Sequence, residues 1–185
     1  MIPRLSPEQL PAEVAELLRP RVERLGYLGE FFRCAAHQPA ALVSFMTFTE
    51  DLKKALPDRL TEIVALTVAT ELDNDYERHQ HERLCLKLGY DEQWIRDIER
   101  REPAGARSLT PAERAVQALT VAVLRRHGKG TTGELETVVT HTCAAQAMAV
   151  LMLIGRYVTH ALIVNALNLA APVPSPLAAA RSATE

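Results

Sequence analysis

The chain of 185 residues is short of cysteine, of aromatic residues and of any excess of charge. Its three cysteines, Cys34, Cys85 and Cys143, are odd in number and widely spaced, whereas a secreted, disulfide-stapled domain needs an even and denser set. The 21 Lys and Arg against 23 Asp and Glu leave a formal net charge of −2. No basic run supplies the concentrated cationic face that phosphate backbones demand, so nucleic acid is not expected as a partner. No long hydrophobic run is uninterrupted either. The most apolar stretch, Cys143 to Ala170, is broken by Arg156, His160 and Asn165. It falls short of the roughly 20 consecutive apolar residues of a bilayer span, and no membrane association is expected. Met1-Ile2-Pro3-Arg4 lacks the cationic and apolar regions of a signal peptide. The expected location is the cytoplasm.

What is present is a 48% hydrophobic content, too much for a disordered chain of this small net charge. A chain of this size hides roughly 70% of its unfolded surface, enough for one core and one domain. The apolar spacing is helical almost throughout. A helix after Pro11 places Val14, Leu17, Leu18 and Val22 on one face and ends at Leu25-Gly26. A second spans Leu28 to His37, and a third runs from Pro39 to about Ala55. A fourth, from Pro57 to about Leu72, is apolar around most of its circumference, which belongs inside a bundle. The acidic break at Glu71-Leu72-Asp73-Asn74-Asp75 offers an Asn or Asp cap for a fifth helix, Tyr76 to Leu88. Asp91 caps a short sixth, residues 100–108 form a polar linker, and Thr110-Pro111-Ala112-Glu113 is a capping box for a seventh. Thr131 with Glu134 opens an eighth, and Ala144 to Leu169 is a long ninth. The expectation is one all-α domain over residues 1–171, a bundle of about eight or nine helices, with a disordered tail at 172–185.

One constellation carries chemistry. Glu77 and His81 lie four apart on the fifth helix and share a face, which Cys85 extends by a turn. Glu62 sits on the preceding helix, which a hairpin can fold against that face. A carboxylate beside an imidazole fixes its tautomer and raises its basicity, as acid–base work near neutral pH requires. Tyr76 adds a phenol able to donate to an oxyanion. Against this stands the common fate of such residues: a solvated Glu–His pair, a solvent-facing His79, a core tyrosine, and a Cys85 that is simply a small buried apolar residue. The stripe Glu77, His81, Cys85 lacks a fourth metal ligand, and no metal is expected.

Leu60-Thr61-Glu62-Ile63-Val64-Ala65-Leu66-Thr67-Val68-Ala69, followed by Asp75-Tyr76-Glu77 and His81, resembles the carboxymuconolactone decarboxylase and alkylhydroperoxidase D-like family. Ala36-His37-Gln38-Pro39 and Val164-Asn165-Ala166-Leu167 extend the likeness over most of residues 25–170. The peroxidase branch spaces a glutamate, eleven residues, a cysteine, two residues, a cysteine, three residues and a histidine. Glu62 and His81 match its ends, but Asn74 and Glu77 stand where the two sulfurs belong. Neither supplies the attacking thiolate or the resolving thiol of peroxide reduction, and Cys85 has no resolving partner near it.

The resemblance is therefore to the non-thiol members, whose decarboxylation of a carboxylated lactone is cofactor-free. It implies a lyase or isomerase acting on a small carboxylated or lactone-like compound. His81 would be the proton donor, oriented by Glu62 or Glu77, and Tyr76 the substrate or oxyanion contact. The alternatives are a non-catalytic oligomeric ligand-binding protein and a thiol peroxidase. The family also implies a homo-oligomer, a dimer, trimer or hexamer, and the apolar stretch 144–169 offers a motive for one. Phe31, Phe32 and Phe45 are candidates for that interface, for a pocket or for ordinary core.

Overall fold

The centre of the protein is α4 (Asp58–Glu71), in which every residue from Leu60 to Ala69 is buried. The computed structural model describes residues 2–178. Around α4 stand α5 (Asp75–Lys87), α6 (Glu92–Arg100), α7 (Pro111–Arg126) and α9 (Ala144–Ala166), and α8 (Thr132–His141) packs on α7 and α9. On the other side of α9 lies a second layer, α1 (Ala12–Leu25), α2 (Glu30–Ala35) and α3 (Pro39–Ala55), in which α3 makes the contact to α9. Short 3-10 turns occupy Pro7–Gln9 and Pro103–Gly105. Among the described residues there are nine α-helices and no strand, the all-α bundle that the sequence pattern implies.

Capping chemistry sets most of the boundaries. Thr110 accepts from the Glu113 amide while Glu113 accepts from the Thr110 amide, a reciprocal capping box. Asn74 Oδ1 accepts from the Glu77 amide at 3.2 Å and Asp91 Oδ1 from the Gln93 amide at 2.7 Å. Thr131 departs from expectation, since its hydroxyl turns back to the Gly128 carbonyl and does not cap α8.

The main core gathers Ile63, Val64 and Leu66 of α4 with Trp94, Ile95, Ile98, Val116, Leu119, Leu153 and Ile154. A second cluster joins Val14, Leu18, Phe31, Phe32, Leu42, Met46, Tyr76 and Val164. Each large side chain buried in them contributes roughly 1.5–3 kcal/mol before the entropy of ordering is counted. Helix α9 is long and apolar enough to cross a membrane by length and composition alone. Here one side of it faces the bundle through Ala147, Val150, Leu153, Ile154, Tyr157, Ala161 and Val164, and Met148, Met152 and Leu162 are exposed.

The expected disordered tail needs correction over its described part. Leu177 is buried in the main core, Ser175 Oγ donates to the Glu82 carboxylate, and the Val173 carbonyl lies 3.1 Å from His79 Nδ1. A single leucine with an apolar seat anchors a segment whose composition reads as loose. The same segment half-covers His79, which was expected in solvent. Residues 179–185 lie outside the described residues.

Candidate functional site

A carboxylate inside ten consecutive buried positions is costly unless it is paired. Glu62, on α4, is only 3% exposed. Its partner comes from α5, which runs back along α4 after the turn at Leu72–Asn74. His81 Nδ1 lies 2.6 Å from Glu62 Oε2, and His81 Nε2 lies 3.4 Å from Glu77 Oε2. Glu77 stands in the first turn of α5, where the positive end of the helix dipole favours its charge. The imidazole is thus held at both nitrogens between two buried carboxylates.

The third wall comes from α9. Arg156 Nη1 is 3.6 Å from Glu77 Oε2, and His160 Nε2 is 3.6 Å from Glu77 Oε1. Arg156 is fixed by its Nε donating to Thr49 Oγ1 at 2.9 Å, with its guanidinium over the rings of Phe45 and Tyr157. Tyr157 also meets His81 edge to face, with ring centroids 5.4 Å apart. Sequence reasoning treated Arg156 and His160 only as interruptions of an apolar run. The available signal was their spacing: two titratable groups four apart share a face, and on a helix otherwise buried they demand partners.

Electrostatics follow from the geometry. Burial pushes the His81 pKa down, but the Glu62 and Glu77 carboxylates overcome it and lift the value to about 9. At neutral pH His81 is therefore an imidazolium, with Nδ1–H donating to Glu62. Burial raises the Glu77 carboxyl, yet His160, His81 and Arg156 together hold it well below the usual range. His160 goes the other way, pushed down to about 4 by burial against the pull of Glu77. It is neutral at physiological pH, so there the positive charge beside Glu77 comes from His81 and Arg156.

Glu77, His81, Arg156 and Tyr157 line a polar cleft of about 80 Å³, together with Arg21, Arg24, Lys53 and Gln80. Burial lowers the pKa of both Arg21 and Lys53, as it does for cations drawn out of water. A larger hollow of about 720 Å³ lies elsewhere, between α2, α3 and the end of α9, lined by Phe31, Leu42, Phe45 and Ile163. It is apolar, whereas acid–base chemistry needs convergent titratable groups, and the buried Glu77 and His81 line the smaller cleft.

Three of the four expected residues, Glu62, Glu77 and His81, come together. Tyr76 does not join them. Its hydroxyl accepts from the Phe31 amide at 3.2 Å on the α2 side, where burial pushes the phenol up, and it is a core aromatic with a satisfied polar end. The reason is helical register: Tyr76 and Glu77 are adjacent, and their polar ends reach different partners, the Phe31 amide for one and His81 with Arg156 for the other. Cys85 is fully buried with its sulfur 3.7 Å from Glu62 Oε2, and burial beside that carboxylate pushes its thiol up. Where the peroxidase pattern has sulfur, Asn74 caps α5 and Glu77 supplies charge.

The carboxymuconolactone decarboxylase family model matches residues 39–122, the span from the start of α3 into α7 that contains Glu62, Glu77 and His81. The family resemblance seen in the sequence is thereby shown. No curated protein sequence matches the chain. An alkylhydroperoxidase AhpD core protein of Ralstonia eutropha JMP134, peroxidase-related and uncharacterized, is 13% identical with a TM-score of 0.81, covering 95% of this chain and 93% of that one. A peroxidase-related protein of Silicibacter sp. TM1040 is 17% identical with a TM-score of 0.77, over 91% and 88%. A cysteine-to-alanine variant of the debrominase Bmp8, in complex with 2,3,4-tribromopyrrole, is 14% identical with a TM-score of 0.73, over 94% of each chain. At these identities the fold is what is shared. The chain is thus an all-α protein of the alkylhydroperoxidase D-like fold whose residues 39–122 match the carboxymuconolactone decarboxylase family model.

Proposed function

We propose that the protein is a cofactor-free acid–base enzyme, a lyase or isomerase acting on a small carboxylated or lactone-like compound. The observation that supports this best is His81, an imidazolium at neutral pH, clamped by Glu62 and presenting Nε2 to a cleft walled by Glu77 and cations. In a decarboxylation the bond to the departing carboxylate breaks and its electron pair passes into the adjoining carbonyl as an enolate. Arg156, Lys53 and Arg21 stabilise that oxyanion, replacing the role expected of Tyr76. His81 Nε2–H delivers the proton to carbon, CO2 leaves, and a proton from solvent restores the imidazolium. Glu62 acts as the positioning residue, and Glu77 holds the donor nitrogen until substrate takes its place.

The debrominase among the similar structures supports the idea that this fold hosts catalysis on small ring compounds. The same reading has the enzyme working in the cytoplasm as a homo-oligomer. Met148, Met152 and Leu162, exposed along α9, support self-association.

The test is a panel of carboxylated lactones incubated in deuterated water and followed by proton NMR. Conversion of at least one member with a single deuteron at the new C–H bond is expected. Glu77→Gln and His81→Asn should each lower kcat by about 100-fold or more with helical content intact. Undiminished conversion in both variants would reject the site, and saturable binding without conversion would favour a ligand-binding protein that has lost the chemistry.

A further inference from the structure

The apolar hollow of about 720 Å³ supplies no group to the acid–base site, yet it is a well-formed pocket. Phe31 and Cys34 of α2, Leu42 and Phe45 of α3 and Ile163 of α9 line it, and its volume is that of sites for small organic molecules. Ile2 and Pro3 line it too, and the segment that carries them is tied to α2. The Leu5 amide donates to the Arg33 carbonyl at 3.1 Å, and Arg33 Nε donates to the Leu5 carbonyl at 2.8 Å. Arg4 Nε pairs with Glu30 at 2.8 Å, and the Pro3 carbonyl lies 2.9 Å from His37 Nε2. Ile2 and Pro3 are thereby held in place as one wall.

The lining sets the chemistry of an occupant. It contains no Asp, Glu, Lys or Arg. His37 is engaged by the Pro3 carbonyl, and the Thr159 hydroxyl donates to the Gly155 carbonyl at 3.0 Å. Burial pushes the Cys34 thiol up, so it stays neutral. An ion entering the hollow would lose hydration with no charged group to replace it. A second copy of the chain is a poor occupant. The exposed large hydrophobics among the described residues are aliphatic, such as Leu25, Met148 and Leu162, with no ring among them to fill such a space. The thirteen lining residues also fall short of the roughly 20–30 a side of a stable interface.

We propose that this hollow is a binding site for an uncharged, largely hydrocarbon molecule, a ring compound or a medium-length alkyl chain, lying against Phe31 and Phe45. Those two rings also support the polar site. Phe31 stacks on His160 with ring centroids 4.0 Å apart, and the Arg156 guanidinium lies 4.8 Å from the centre of the Phe45 ring. His160 and Arg156 both reach Glu77. An occupant therefore touches the rings on which the partners of Glu77 rest, and a close-packed interior passes small displacements on.

The experiment is fluorescence titration of the intact protein with N-phenyl-1-naphthylamine, an uncharged probe that brightens in apolar surroundings. Saturable binding of one probe per chain is expected, with a Kd on the order of 10 μM. At pH 8, 1-decanol should displace the probe at least about tenfold better than decanoate, because the lining offers a carboxylate no countercharge. Ala41 lines the hollow from an exposed position on α3, so Ala41→Trp should fill it and abolish binding with an unchanged melting profile. Thr47→Trp, exposed on the same helix outside the lining, should bind as the parent does. The probe should also shift the imidazole NMR signals of His160, assigned by their loss in His160→Gln, in the parent and not in Ala41→Trp. No saturable binding, equal displacement by decanoate, binding preserved in Ala41→Trp, or an unmoved His160 overturns the site. Binding that fades as the chain self-associates in sedimentation gives the hollow to a second copy and overturns it as well. None of these readouts depends on turnover, so the proposed activity stands or falls separately.

Discussion

Glu62 Oε2 and His81 Nδ1 lie 2.6 Å apart across the α4–α5 hairpin, both side chains buried. A carboxylate and an imidazole so placed exist as a charged pair, and two consequences follow from the charges around them.

Stability should depend on pH through His81. Its folded pKa is raised to about 9 from an ordinary 6.5. A raised folded value means that the contribution is fully present below about 6.5 and is lost as pH rises through about 9. Urea denaturation from about pH 6 to about pH 10 should show stability declining across that window. Glu62→Gln, by removing the largest stabilising charge on the ring, should lower the plateau and flatten the slope. A parent profile with no slope there would contradict the charged pair.

Arg156 should matter as the countercharge of Glu77. Replacing it with Met leaves the buried Glu77 carboxylate with His81 as countercharge and a neutral His160 beside it, a loss on the order of 3 kcal/mol. The double variant Glu77→Gln, Arg156→Met should be less damaging than the two single losses added together, since no lone charge is left behind. Strict additivity in a denaturation cycle would show that the two side chains do not act on each other.

Tyr76 should prove structural. A Cβ at Gly29 would lie 2.5 Å from the Tyr76 hydroxyl oxygen, so the chain passes this phenol at a distance only glycine allows. Gly29→Ala should destabilise the protein, and adding Tyr76→Phe should recover part of the loss by removing the obstructing oxygen. Tyr76→Phe alone should cost about 1 kcal/mol for the lost Phe31 hydrogen bond and leave turnover nearly unchanged. A large fall in turnover with stability intact would return Tyr76 to the reacting centre.

The helices were legible in advance because their signals are local. Pro39, Thr110-Pro111, Asn74 and Gly89 mark starts and ends through contacts within a few residues, and α4 announces its central place by being apolar all round. The pair Glu62 and His81 was legible for a related reason: a short turn between two helices brings their facing sides together. The loss of the paired cysteines was also plain, since Asn74 and Glu77 occupy the two positions directly.

Tyr76, Arg156 and the tail show where local reading stops. Helical period says which residues share a face, but not which neighbour that face meets, so Tyr76 and Glu77 could not be told apart as core and site. Arg156 and His160 reach Glu77 from about 80 positions along the chain, a distance closed only when α9 packs between α3 and α4. Leu177 found a seat in the core that no composition rule reveals. The residue types and their helical faces are written in the chain, while the convergence of α1, α3, α5 and α9 on one small charged cleft depends on packing between elements far apart in sequence.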